Sequence, residues 1–303
     1  MYLQHFGLGE APFSLTPNTG FFFGLAPHVE ALQVLQTALQ TGEGFIKVTG
    51  EVGTGKTLIC RKLLNEIPSR FHCAYLPNPY LTPDELRWAV ALELGLKYST
   101  NIDQQQLTTL IQQQLIALSA HGHSIVLVLD EAQALPDESL EALRLFTNLE
   151  TESRKLLQVV LFAQPELDER LALKQFRQLR QRITFSYQLR PLTRGETSAY
   201  LTHRLQIAGY QGPELFSQNN CMRLAKASRG IPRLINILAH KALLLAFGEG
   251  AQCVSHQHIK AAVNDTDDAK GSAMLTRGWF AALSAAVVVV VSVSVYWFLG
   301  AAA

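Results

Sequence analysis

FIKVTGEVGTGKT, Phe45 to Thr57, decides the fold. An apolar strand pattern runs into a glycine-rich turn, and Gly50–Thr57 (GEVGTGKT) fits G-x-x-x-x-G-K-[ST]. Glycines at Gly50, Gly53 and Gly55 let the backbone curl until successive N–H groups point at one anion. A helix opening near Lys56 and running over Leu58–Ile67 adds its positive N-terminal end. Lys56 is expected to reach the β- and γ-phosphates of ATP, and the Thr57 hydroxyl to ligate Mg²⁺. The expected nucleotide-binding set is therefore Gly50, Glu51, Val52, Gly53, Thr54, Gly55, Lys56, Thr57 and Leu58.

Working outward, strands and helices alternate. Helical spacing marks Val29–Leu39, Pro83–Leu94, Gln104–Leu118, Glu138–Leu149 and Leu167–Leu179. Short apolar runs mark strands at CAYL (Cys73–Leu76), IVLVLD (Ile125–Asp130), LQVVLFA (Leu157–Ala163) and FSYQL (Phe185–Leu189). Strands apolar nearly throughout predict a parallel sheet covered by helices on both faces, an α/β P-loop core. The strand Ile125–Leu129 delivers Asp130 and Glu131 to its C-terminal end, where ligands bind in such sheets. Asp130 is expected to hold Mg²⁺ and Glu131 to act as general base on the attacking water. An intact Glu131 favours hydrolysis over a scaffold that only binds ATP. Gln164, ending LQVVLFA, admits two readings: an amide that orients water or the γ-phosphate, or a strand-end amide in a turn before Pro165.

Strand signals vanish after Pro191. Thr193–Ile207, Ser217–Ser228, Pro232–Phe247 and Ser255–Val263 carry helical periodicity and predict a bundle of about four helices. Residues 1–24, rich in Phe, Pro and Gly, read as an irregular arm. The expected organisation is a core with its arm over 1–190, a helical lid over 191–264, a polar linker over 265–277 and a transmembrane helix over 278–299.

That last segment carries no charge from Gly278 to Ala303. At about 1.5 Å per residue, the roughly 21 residues from Trp279 to Leu299 reach roughly 31 Å, enough for a hydrocarbon core about 30 Å thick. Trp279 and Phe280 stand at one end and Tyr296, Trp297 and Phe298 at the other, as interfacial aromatics do. Lys270 and Arg277 flank the N-terminal side, which places the bulk of the chain in the cytoplasm, tethered to a membrane by its C-terminal tail. The net charge of the 303 residues is +1, so no global field points to nucleic acid. Cys60, Cys73, Cys221 and Cys253 form no CxxC pair, which fits reduced thiols rather than zinc or disulfides.

Three late arginines complete the set. Arg180 and Arg182, in FRQLRQRI, read either as an arginine finger for a neighbouring subunit's site or as a solvated basic helix end. Arg233, in RGIPRLIN, reads either as a lid residue that senses the γ-phosphate or as a surface arginine. Taken together, GEVGTGKT, the Asp130-Glu131 strand, Gln164, these arginines and the GIPR block resemble an AAA+ ATPase. The opening YLQHFGLGEAPFSLTPNTGFFF and the block RGIPRLINILAHKALL are similar to the general secretion pathway protein A type, and within it the MSHA pilus biogenesis branch.

The resemblance covers about 1–299 and implies a homo-oligomeric ring that assists assembly of a type IV-like pilus or type II secretion machine. It raises the sensing role of Arg233. It also implies that the arm near Phe6, Pro12 and Phe13 walls the adenine pocket, with plain packing on the core as the other reading. Secretion-type members continue into a peptidoglycan-binding domain, whereas this sequence stops at Ala303, so the shorter pilus-type reading fits better. The alternative is a DNA-associated AAA+ ATPase of the transposition or loader type, which the net charge and the absence of a basic stripe disfavour.

Overall fold

A computed structural model describes residues 2–77, 79–97, 102–146 and 155–269. Five strands form one sheet: β1 (Phe45–Gly50), β2 (Phe71–Leu76), β3 (Ser124–Leu129), β4 (Leu157–Ala163) and β5 (Ile183–Leu189). Their order is β2-β3-β4-β1-β5, and every pairing is parallel. β3 and β4 are therefore neighbours, which brings the residues after Leu129 and Ala163 side by side.

Along the chain come α1 (Tyr2–His5), α2 (Ala26–Thr41), α3 (Lys56–Glu66), α4 (Pro83–Glu93), α5 (Gln104–Ala120), α6 (Asp137–Phe146), α7 (Glu166–Leu171) and α8 (Arg177–Arg182). Side chains alternate between the two faces of a strand. Ile125, Leu127 and Leu129 of β3 point to the face covered by α4–α8, and Val126 and Val128 to the face covered by α2 and α3. Leu157, Val159 and Leu161 against Val160 and Phe162 repeat this on β4. Burying both faces is why these strands read as unbroken apolar runs; each such side chain contributes about 1.5–3 kcal/mol. β5, at the sheet edge, alternates instead.

One helix expected from spacing is two. Leu167–Leu179 breaks into α7, a 3₁₀ turn at Lys174–Phe176, and α8. At about 100° per residue, a straight helix would set Phe176 opposite Leu167. Both are buried in the same cluster, together with Leu171 and Leu179. The extended backbone of Leu173 turns the chain so that all four reach it. α6 matches the start of the expected Glu138–Leu149 helix; the rest of that stretch lies outside the described residues.

The lid is α9 (Arg194–Ile207), α10 (Gln218–Ser228), α11 (Pro232–Gly248) and α12 (His256–Asn264). Capping boxes at Thr193 and Ser255 start α9 and α12. Its core also takes Phe6, Leu8, Phe13, Phe21 and Leu25, so most of the arm packs on the lid, while Phe22 packs with the α2–α3 side of the sheet and Arg61 of α3 donates to Pro17 O at 2.9 Å. Gly9 N–H donates to Ala208 O at 2.8 Å, and His5 Nε2 to Ala251 O at 2.9 Å. Packing continues past the expected lid end at 264: Thr266 and Ala269 are buried, and Lys241 pairs with Asp265 at 2.8 Å. The remainder of the expected linker and the expected span over 278–299 lie outside the described residues. Among the described residues no helix is long and apolar enough to cross a membrane.

Candidate active site

The loop from β1 to α3 is shaped for glycine. Gly53 and Gly55 have φ of +83° and +106°, which side-chain-bearing residues rarely adopt. A Cβ on Gly50 would stand 2.9 Å from Thr54 Oγ1 and 3.0 Å from Leu189 O. Thr54 closes the turn, donating from N and Oγ1 to Glu51 O at 3.2 and 2.8 Å. Gly55 caps α3 without a side chain, so the first N–H groups of α3 are left for an anion.

Lys56 is buried, and its Nζ donates to Gly50 O at 2.7 Å and Glu51 O at 3.1 Å. Burial lowers its pKa, while the carboxylates of Glu131 and Asp130 act the other way. From α2, His28 Nε2 lies 3.0 Å from Thr54 O. A carbonyl only accepts, so Nε2 carries the proton and donates. Burial lowers the pKa of this imidazole and keeps it neutral in that role. Sequence reading missed His28, because one histidine on an amphipathic helix carries no local signal.

At the neighbouring strand ends, Asp130 is buried; that raises its pKa, and the Thr57 hydroxyl and the Glu131 N–H donate to its carboxylate in opposition. Thr57 and Asp130 thus offer the paired hard oxygens that Mg²⁺ takes. Glu131 sits in the left-handed region at φ 55°. Its Oε2 accepts from Gln133 Nε2 at 2.6 Å and Gln164 Nε2 at 3.0 Å. Gln133 is the second residue that sequence reading missed.

Above the loop lies a cavity. Val52, Gly53, Gly55, Lys56, Thr57, Leu58, Glu131 and Arg233 of the expected set line it. The lid rests directly on the loop, with Arg233 N–H donating to Gly53 O at 3.1 Å. The far wall is Ser14–Asn18 of the arm with Tyr200, Arg204 and Asn236 of the lid. Phe6 and Phe13 do not wall it, since both are buried in the lid core; Ser14–Asn18 takes that place. Arg204 ties arm to lid: it donates to Pro12 O and, at 3.3 Å, to Ser14 O, and lies over the Phe21 ring at 4.4 Å. Arg180 and Arg182 stand at the start of β5, at the opposite end of the parallel sheet from Gly50. They donate to Ala172 O at 3.5 Å and Arg144 O at 3.4 Å, and neither lines the cavity of its own chain.

A glycine cradle at an uncapped helix start, a buried lysine and a Thr–Asp oxygen pair fit a nucleotide triphosphate with Mg²⁺. A family profile described as an AAA domain matches residues 39–171, which span the loop and both acidic positions. The chain is a P-loop ATPase of the AAA type. ATP and Mg²⁺ are its nucleotide and metal.

General secretion pathway protein A of Aeromonas hydrophila is 43% identical to this ATPase over 289 residues, which is 95% of this chain and 53% of that protein. The ATPase is of that type over the shared part, and it spans about half the length of this curated relative. Among solved structures, Cdc6p of Pyrobaculum aerophilum superposes with a TM-score of 0.61 at 18% identity, covering 80% of this chain and 69% of that one. The ORC2 protein of Aeropyrum pernix, in ADPNP–ADP complexes, gives 0.58 at 15% identity, covering 82% and 71%. At such identities the likeness is one of fold.

Gly53 yields a prediction. A Cβ there would stand 2.6 Å from Arg233 Cβ and 3.2 Å from Ile231 Cγ2. Gly53→Ala therefore meets an unfavourable φ, about 1–2 kcal/mol, and also pushes the start of α11 off the loop. ATP affinity is expected to fall tenfold or more in a fluorescent-nucleotide titration. Gly122→Ala, at φ +84° with nothing within 4 Å, is the control and binds ATP normally.

Proposed function

We propose that this ATPase is held at the cytoplasmic face of a bacterial inner membrane and spends Mg-ATP on assembly of a secretion or MSHA-type pilus machine. The observation that carries this reading is the 43% identity to general secretion pathway protein A over 95% of the chain. The charge-free segment Trp279–Leu299 supports attachment through a single span.

Within the site each residue has a part. Backbone N–H groups of Gly53–Leu58 and the Lys56 ammonium hold the phosphates; Thr57 and Asp130 hold Mg²⁺. Bound Mg²⁺ neutralises charge on the phosphate oxygens. Glu131 takes a proton from water as the water oxygen bonds to the γ-phosphorus and the bridging oxygen leaves with ADP. Gln164 orients Glu131. Arg233 senses the γ-phosphate from the lid, because α11 starts on the loop. Arg180 or Arg182 reaches the site of the next subunit in a homo-oligomeric ring, since their position at the far end of the sheet bars them from their own.

Crosslinking the full chain in cells and identifying its neighbours tests the assignment. Secretion or pilus components of the inner membrane are the expected partners. Recovery of chromosomal DNA in their place would favour the transposition or loader reading.

A further inference from the structure

Glu131 is held by more than its own backbone. Two amides, from Gln133 and Gln164, donate to its Oε2 at 2.6 and 3.0 Å, and Oε1 accepts from neither. The orientation of the Gln133 amide is fixed by a third bond. Gln164 backbone N–H donates at 3.0 Å to Gln133 Oε1, so Nε2 of that amide must turn toward Glu131. Its backbone is fixed as well. Arg170 of α7 donates from Nη1 to Gln133 O at 2.8 Å and from Nη2 to Leu135 O at 2.9 Å, and pairs with Asp137. Ala134 N–H closes the 3₁₀ turn on Glu131 O at 2.8 Å.

We propose that Gln133 is a positioning residue for ATP hydrolysis: it pins Glu131 Oε2 between two amides and so commits Oε1 to the proton of the attacking water. This rests on the general-base reading of Glu131. A carboxylate that rotates freely presents either oxygen at a range of angles, whereas two donors on one oxygen leave a single orientation. Positioning of this kind acts on the chemical step and not on nucleotide binding, because Gln133 touches neither the glycine loop nor Lys56 in any hydrogen bond of the structure.

The test uses the full chain with Mg-ATP and three variants: Gln133→Leu, Gln133→Glu and Glu131→Gln. Gln133→Leu removes the amide, and kcat is expected to fall ten- to a hundredfold with ATP affinity kept within about twofold. Gln133→Glu keeps the shape but sets a second carboxylate against the first. An ionised carboxylate at that position donates to neither oxygen of Glu131, so kcat is expected to fall at least as far as in Gln133→Leu. A merely structural residue would lower kcat and affinity together in Gln133→Leu, and this result overturns the proposal. So does wild-type turnover in both Gln133 variants while Glu131→Gln is inactive. Full hydrolysis by Glu131→Gln would instead overturn the general-base reading on which the proposal stands. Should Gln133→Leu fail to fold, the near-isosteric Gln133→Glu decides alone: kcat lowered at least tenfold with ATP still bound supports the proposal, and wild-type kcat overturns it.

Discussion

Replacing Lys56 by alanine is expected to weaken ATP binding on the order of a hundred- to a thousandfold. Charge-assisted hydrogen bonds contribute about 1.5–3 kcal/mol each, and a lysine reaching two phosphates makes two of them. A loss of about 3–4 kcal/mol in binding is a factor of that size in affinity. Two features of the site enlarge the effect. Nζ is shielded among the carbonyls of Gly50 and Glu51, so water replaces it poorly. Asp130 and Glu131, whose carboxylates favour the charged ammonium, would also face the phosphates with one compensating cation fewer. Lys56→Arg should rescue little, because a longer, planar guanidinium does not reproduce the point-like ammonium that bonds Gly50 O and Glu51 O. Equilibrium titration with a fluorescent ATP analogue checks both variants. Wild-type affinity in Lys56→Ala would remove the loop from nucleotide binding.

The residues legible in the sequence are those whose chemistry demands a residue type at a fixed local spacing. Gly50, Gly53, Gly55, Lys56 and Thr57 belong together within one turn, and Asp130-Glu131 end a strand that is apolar because both its faces are buried. The structure brings Gly53, Gly55, Lys56, Thr57 and Glu131 to one cavity with Arg233. Residues that support them are set by tertiary contacts and leave no local trace. His28 answers a backbone carbonyl at Thr54, and Arg204 answers carbonyls at Pro12 and Ser14, 192 and 190 residues away in sequence. Gln133 could have been noticed, since it follows the acidic pair within the same turn, but its role depends on β3 and β4 being neighbours. The same limit governs the arm. Phe6 and Phe13 are conspicuous, yet only the packing of α9–α12 decides that they fill the lid and leave Ser14–Asn18 to face the cavity. The α7–α8 break is different, because spacing alone contains it: Leu167 and Phe176 cannot share one face of a straight helix.

Glu131→Gln should abolish turnover and spare binding. General-base assistance contributes about 10²- to 10⁴-fold to rate, and a carboxamide supplies no proton acceptor of comparable strength. The surroundings sharpen this expectation. Gln133 and Gln164 both present N–H groups to the position of Oε2. A glutamine at 131 must meet two donors with its carbonyl oxygen, since its own NH₂ would oppose them. Its NH₂ then takes the place of Oε1 and offers the water a donor where an acceptor is required. The substitution therefore inverts the hydrogen-bonding sense at the reacting water while keeping the backbone, volume and network. The carboxylate lost carried negative charge beside the phosphates, so ATP affinity should hold or tighten. Steady-state turnover beside equilibrium ATP titration separates the two quantities. A kcat reduced at least a hundredfold, with a dissociation constant at or below that of the wild type, is the expected pair. Undiminished hydrolysis would take Glu131 out of the chemistry and leave its two amides as a purely structural contact between β3 and β4.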